Sequence, residues 1–131
     1  MSIAFITRDF TGEFPYLTPA GCAYYRCALP LSVCGQPGSL GLPAWDSARG
    51  FGVKETTGTG IFGYKTVVLK LIMDRWTPRQ IELAQQLGQY IIVDIDDYYD
   101  GLTPDNKAYH TTDPALNKRA NRDHYLSLIH I

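Results

Sequence analysis

The sequence predicts an α/β domain whose sheet is mostly parallel and flanked by helices. Three observations carry that prediction. Gln89-Tyr90-Ile91-Ile92-Val93-Asp94-Ile95-Asp96-Asp97 is an apolar, β-branched run that ends in three carboxylates within four residues. Thr66-Val67-Val68-Leu69-Lys70-Leu71-Ile72-Met73 is a second run of the same kind. Such runs lack polar alternation and read as strands buried on both faces, as parallel sheets require. Between them, Thr77-Pro78-Arg79-Gln80 has the pattern of a capping box, with Thr77 as N-cap, Pro78 at the first helical position and Gln80 at the third.

The remaining elements follow in order. Ile3 to Thr7 is a short apolar run and a first strand. Arg8 to Pro19 is rich in Thr, Gly and Pro and reads as a loop. Cys22, Tyr25, Leu29 and Val33 then recur at i, i+3, i+7 and i+11, the buried stripe of a first helix. Pro30 kinks or ends that helix and Gly35 closes it. Gly21, where strand gives way to helix, leaves room for a phosphate or sugar at the helix N-terminus.

Gln36 to Gly63 is rich in glycine and loop-like, with Pro43-Ala44-Trp45 as a short second strand. Thr56-Thr57-Gly58-Thr59-Gly60 reads as an exposed turn, and no GK[ST] follows to make it a phosphate loop. The helix opened by Thr77 places Ile81, Ala84 and Leu87 on one face and stops at Gly88. Strand, capped helix and strand form a βαβ unit of a Rossmann-like domain. Tyr98 to Asn106 is a polar loop. Asp113-Pro114 caps a last helix with Leu116 and Ala120 as a thin apolar stripe, after which the chain stops without a further strand.

Composition narrows the function. At 131 residues the chain is a single domain, 1–131. Twelve basic and thirteen acidic residues leave a formal charge of -1, which argues against a polyanion partner on bulk charge. The basic face of Lys118, Arg119 and Arg122 leaves nucleic acid only as a possible acceptor. No apolar stretch approaches the roughly 18 residues of a membrane span, and Arg8 and Asp9 cut short the N-terminal apolar run. Cys22, Cys27 and Cys34 have no CxxC spacing and pair with no histidine pattern, so reduced thiols and a cytoplasmic protein without a metal are expected.

Chemistry concentrates at two places. Asp94 and Asp96 share one face at a strand's carboxyl end, with Asp97 beside them, and ligands of open α/β sheets bind just beyond those ends. Three carboxylates closing a buried strand repel one another unless a cation or hydrogen-bond donors offset them. Opposite stands the helix start, where Gly21, Tyr24, Tyr25 and Arg26 could meet a ligand. Arg26 has the planar fork to hold a phosphate or one of the aspartates. For the tyrosines, core packing at Tyr25 with Tyr24 at the surface is the structural reading.

Gly21-x-x-Tyr24-Tyr25-Arg26 with Pro30, and Val93-Asp94-Ile95-Asp96-Asp97 followed by Leu102-x-Pro104 and Tyr109, resembles the N-terminal half of GT-B-type glycosyltransferases. The likeness is nearest to members encoded by bacteriophages of actinobacteria. It spans nearly the whole chain but about the first third of such an enzyme. The resemblance implies transfer of a sugar from a nucleotide-sugar co-substrate, without another cofactor, to an acceptor bound mainly by this domain. It implies catalytic roles among Asp94, Asp96 and Asp97 and substrate contacts at Gly21, Tyr24, Tyr25 and Arg26. A second, donor-binding domain would lie beyond this chain, whose activity alone would be doubtful, and the cytoplasm would be that of an infected host. Ser127-Leu128-Ile129-His130-Ile131 resembles translated adapter sequence more than the family's next strand.

Two other classes compete. Ile92-Val93-Asp94-Ile95-Asp96-Asp97 also resembles the first motif of haloacid-dehalogenase-type phosphohydrolases, in which Asp94 would be the nucleophile, Asp96 the general acid/base and Mg²⁺ the charge neutraliser. A non-catalytic α/β module that binds a partner or a sugar is the other.

Overall fold

The computed structural model describes residues 2–13, 16–33, 38–54, 58–70, 72, 76–94 and 105. In chain order its elements are β1 (Ile3–Ile6), β2 (Phe10–Thr11), β3 (Thr18–Pro19), α1 (Gly21–Ala23), a π-helical turn (Tyr24–Ala28), α2 (Leu29–Val33), β4 (Gly38–Gly41), β5 (Pro43–Asp46), β6 (Gly50–Lys54), β7 (Gly60–Ile61), β8 (Thr66–Lys70), α3 (Thr77–Gln86) and β9 (Tyr90–Asp94). Among the described residues no helix is long and apolar enough to cross a membrane.

The main sheet is parallel throughout, in the order β4-β1-β8-β9. Counting only its own strands, that order is second, first, third, fourth, a roughly Rossmann-like α/β arrangement in which the connection from β4 to β8 runs through β5, β6 and β7. The chain leaves β1 toward β4 and later returns to β1's other side with β8. The carboxyl ends of β1 and β8 therefore flank the point where the winding reverses, the place where such sheets bind ligands.

The alternation of side chains divides the sheet into two faces. Ala4 and Ile6 of β1, Val67 and Leu69 of β8, and the half-buried Ile91 and Val93 of β9 point to one side. There they join Ile81 and Ala84 of α3, Phe51 and Val53 of β6, Tyr64 and Ile72 in the larger core. Burial of Ile81 alone contributes about 1.5–3 kcal/mol. On the other side Phe5 and Val68 pack with Cys27, bordered by Ile3, Leu31 and Leu40. This second core is thin, and it lies under the first helical segment.

The βαβ unit β8-α3-β9 forms where the sequence places it, with two corrections. Helix α3 begins at Thr77, but its N-cap is Trp76, and Thr77 makes no capping bond. The Thr77 side chain is turned inward and buried instead. At the other end Gly88, at φ +88°, closes the helix as expected. Its N–H bonds the carbonyl of Gln85 and the N–H of Gln89 bonds that of Ala84, the paired bonds of a Schellman motif. Leu87 sits in the turn itself and is exposed rather than part of the buried face.

β9 is not buried on both faces. Among the described residues it pairs only with β8, and Tyr90 and Ile92 are exposed on the side away from the larger core. An apolar run is thus compatible with an edge strand covered on one side.

The glycine-rich middle of the chain holds more order than its composition suggests. The second parallel strand is Gly38–Gly41, not Pro43-Ala44-Trp45. A Cβ at Gly38 would stand 2.5 Å from Leu31 Cδ1 and 2.8 Å from the Ile3 carbonyl, so the helix can lie on this strand only because the position has no side chain. Pro43–Asp46 belongs to a separate antiparallel sheet, β5-β6-β7, in which Trp45 meets Phe51 edge-on at 4.9 Å. The exposed Gly58 and Thr59 lead into β7.

The first helical segment departs furthest from its expected pattern. The stripe Cys22, Tyr25, Leu29 and Val33 faces solvent, with Tyr25 69% exposed, while Ala23 and Cys27 are buried and Leu31 packs beside them. The buried face is the opposite one, Ala23, Cys27 and Leu31 at i, i+4 and i+8, and within it lies a π-helical turn in which the N–H of Leu29 reaches the carbonyl of Tyr24 five residues back. Pro30 has no N–H for the carbonyl of Arg26, and its ring crowds that carbonyl, so the helix widens here and continues to Val33 rather than ending. The expected stop at Gly35 and the expected last helix from Asp113 lie outside the described residues.

Candidate functional site

Four segments converge at the carboxyl edge of the parallel sheet: the chain leaving β1, the π-helical turn, and the ends of β8 and β9. Each owes its place to a local feature of the sequence.

After β1, Thr7 is buried, and its hydroxyl accepts the Asp9 N–H at 3.1 Å. This turn aims Asp9 at the start of α1, where its Oδ2 accepts the Ala23 N–H at 2.8 Å. The Asp9 carbonyl also accepts the Ala20 N–H at 2.9 Å. The position at which Gly21 was expected to admit a phosphate is therefore taken by a carboxylate of the chain itself, which suits the positive end of a helix. Gly21 is exposed, and a Cβ there would meet nothing within 4 Å.

One turn further, Arg26 reaches across to β9 and grips Asp94 with both arms of its fork. Nε donates to Oδ2 at 2.7 Å and Nη2 donates to Oδ1. The side chains are 44% and 22% exposed. Bidentate geometry makes this among the stronger kinds of ion pair, and partial exposure keeps its net contribution near 1 kcal/mol. Of the two partners open to Arg26 from the sequence, ligand or aspartate, the aspartate occupies it here.

Tyr24 and Tyr25 directly precede Arg26 in the same π-helical turn. Both are exposed and stand edge-on at 5.2 Å, so Tyr25 is not the core residue expected of it. Asp96 and Asp97 lie outside the described residues.

Two groups beneath the pair escaped the sequence reading. Lys70, the last residue of β8, is fully buried. It lies opposite Asp94 in the β8–β9 register and, by alternation from Val68, on the same sheet face as Asp94. Cys27 is buried beside them, and its thiol is pushed up to about 11. Burial is the main cause, Asp94's negative charge adds to it, and the positive charges of Lys70 and Arg26 oppose it. A lysine inside Val67-Val68-Leu69-Lys70-Leu71-Ile72 was the available signal, because a charge seldom enters a buried strand without a task. Asp9, two residues beyond Thr7, left no comparable trace.

Arginine, lysine and two aspartates at one sheet edge make a nearly charge-balanced cluster with hydrogen-bonding capacity for hydroxyl and phosphoryl groups. It is poorly arranged for nucleophilic attack by Asp94, since both carboxylate oxygens already accept from Arg26. Among the described residues no group of three His, Cys, Asp or Glu side chains is placed to hold a metal ion. A cavity of about 390 Å³ lies at the opposite end of the sheet, lined among others by Arg49, Phe62, Lys65 and Gln89. Arg49 stacks on Phe62 there at 4.2 Å, and the Gln89 amide is spent on backbone groups.

Compared with known proteins, the chain matches no family model, no curated protein and no solved structure.

Proposed function

We propose that the chain is the acceptor-side, Rossmann-like domain of a GT-B-type glycosyltransferase, which moves a sugar from a nucleotide-sugar donor to an acceptor hydroxyl. The observation that carries this reading is the Arg26–Asp94 fork at the carboxyl end of β9, facing the helix that starts at Gly21. It supplies a carboxylate oriented by a guanidinium beside exposed aromatic rings. That chemistry suits sugar hydroxyls and a departing diphosphate.

In this reading Asp94 and the neighbouring Asp96 and Asp97 orient and deprotonate the acceptor. Tyr24 and Tyr25 present ring faces and hydroxyls to a sugar. Arg26 offsets negative charge as the diphosphate leaves. The donor's nucleotide is gripped chiefly by a second domain.

The test is an assay of the complete enzyme against a panel of nucleotide sugars, reading released nucleoside diphosphate. Asp96→Ala is expected to lower turnover by about 10²-fold or more while circular dichroism stays unchanged. Turnover near that of the parent would remove the acidic cluster from the mechanism. Release of phosphate from phosphomonoesters that depends on Mg²⁺, with no use of nucleotide sugars, would move the protein to the phosphohydrolase class.

A further inference from the structure

We propose that Arg26 is a shared cation: it holds Asp94 in the structure described here, and a pyrophosphate-bearing ligand takes over the guanidinium and releases the Asp94 carboxylate. This deepens the proposed function. It rests on the same strand end being a site, and not on sugar transfer itself.

Three features make the exchange possible. The first is shape. A guanidinium fork accepts a carboxylate and a phosphoryl group in the same two-bonded geometry, so one can replace the other without a new conformation of the arginine. The second is access. Arg26 is 44% exposed along its side chain, and a pair so open to water is held by little net free energy. The third is charge. Lys70 lies in register with Asp94 at the next strand end, wholly buried, and its positive charge is felt at Cys27. An anion arriving at Arg26 enters a neighbourhood that already holds a second cation with little water around it, where attraction falls off least.

The helix start already has a carboxylate of the chain itself beside it. The first turn of α1 has its Ala23 N–H committed to Asp9. Side chains then offer the stronger hold, and Arg26 is exposed on the helix that faces Asp94, with Arg8 exposed beyond the end of β1. Arg26 sits in the π-helical turn, the kind of local widening that is frequent at functional sites. Exchange also converts Asp94 from a group with both oxygens occupied into one that can accept a hydroxyl proton. Arrival of the diphosphate would thus switch the carboxylate on.

The test is inorganic pyrophosphate titrated calorimetrically into the 131-residue chain, with spectra of each variant showing that it is folded. If Asp94 competes for Arg26, Asp94→Asn binds pyrophosphate about tenfold tighter than the parent, the ratio that about 1.4 kcal/mol of lost competition gives. Arg26→Ala loses most of the binding. Arg26→Lys, which keeps the charge without the fork, weakens it several-fold and serves if the alanine variant does not fold. Asp9→Asn retains an oxygen for the Ala23 N–H and is the control for bulk charge, with a much smaller change than Asp94→Asn. The proposal is overturned if Asp94→Asn binds no tighter than the parent. It is equally overturned if the arginine variants bind as the parent does, or if Asp9→Asn tightens binding as much as Asp94→Asn. Pyrophosphate binding in the expected order with no turnover of any nucleotide sugar would uphold the exchange and reject only glycosyl transfer.

Discussion

The side-chain amide of Gln89 closes on the backbone of Phe51 from both ends. Its Oε1 accepts the Phe51 N–H at 2.8 Å, and its Nε2 donates to the Phe51 carbonyl at 3.0 Å and to the Tyr64 carbonyl at 2.9 Å. Gln89 follows the turn that ends α3 and precedes β9, whereas Phe51 lies in β6. One buried glutamine therefore ties the antiparallel sheet to the βαβ unit. Gln89→Leu keeps the volume and leaves three buried backbone groups without that partner. The expected loss of stability is about 3 kcal/mol or more, since each stranded group costs about 1–3 kcal/mol. Urea unfolding measures it, and a loss below about 1 kcal/mol would show that water replaces the amide.

Thr77 predicts the opposite sign. Its hydroxyl is buried and has no hydrogen-bond partner among the described residues. Thr77→Val preserves the shape and removes the unsatisfied group, so stability should rise by about 1 kcal/mol. The urea midpoint should move up at constant slope. A fall in the midpoint would mean that the hydroxyl is satisfied in solution.

Cys27 predicts a pH dependence. Its thiol holds its proton up to about 11 in the folded chain, against an ordinary value of 9.0. The folded state therefore binds more protons than the unfolded state between these values, and stability falls as pH rises through that window. Below about pH 9 the contribution is fully present. Urea midpoints of the parent and of Cys27→Ala, measured from about pH 8 to 11, should show a steeper decline in the parent. Equal slopes would place the thiol in a wetter setting. At neutral pH a thiol reagent should modify the exposed Cys22 well before Cys27.

The legible and illegible parts of the fold separate along physical lines. β8, α3 and β9 could be read because their signals are local: β-branched runs, a proline at a helix start, and Gly88 as a stop. Thr77 lies one position further into the helix than a capping box predicts, because Thr-Pro fits a cap and a first turn equally well and tertiary burial selects the latter. The strand Gly38–Gly41 is hidden in the sequence because Gly38 serves close approach to Leu31 and Ile3, a requirement that exists only after folding. The stripe of Cys22, Tyr25, Leu29 and Val33 mimics a buried face because it carries the larger apolar side chains, whereas the face that packs is made by the small Ala23 and Cys27 with Leu31 beside them. At the site, the possibility that Arg26 meets an aspartate could be read from charge and position. The capping role of Asp9 depends on where a loop returns, and Lys70 was overlooked within its apolar run.

The π-helical turn also constrains how this sequence can change. It amounts to a single-residue insertion between two short α-helical stretches. The wide turn takes up its extra residue locally, so deleting one residue from Tyr24–Ala28 would restore the ordinary period and leave the two stretches close to their present relative orientation. Ala23, fastened to Asp9, and Leu31, seated beside Cys27, would both keep their places. The change would fall on the turn that carries Arg26, so a variant one residue shorter here should keep the fold and lose the Arg26–Asp94 pair.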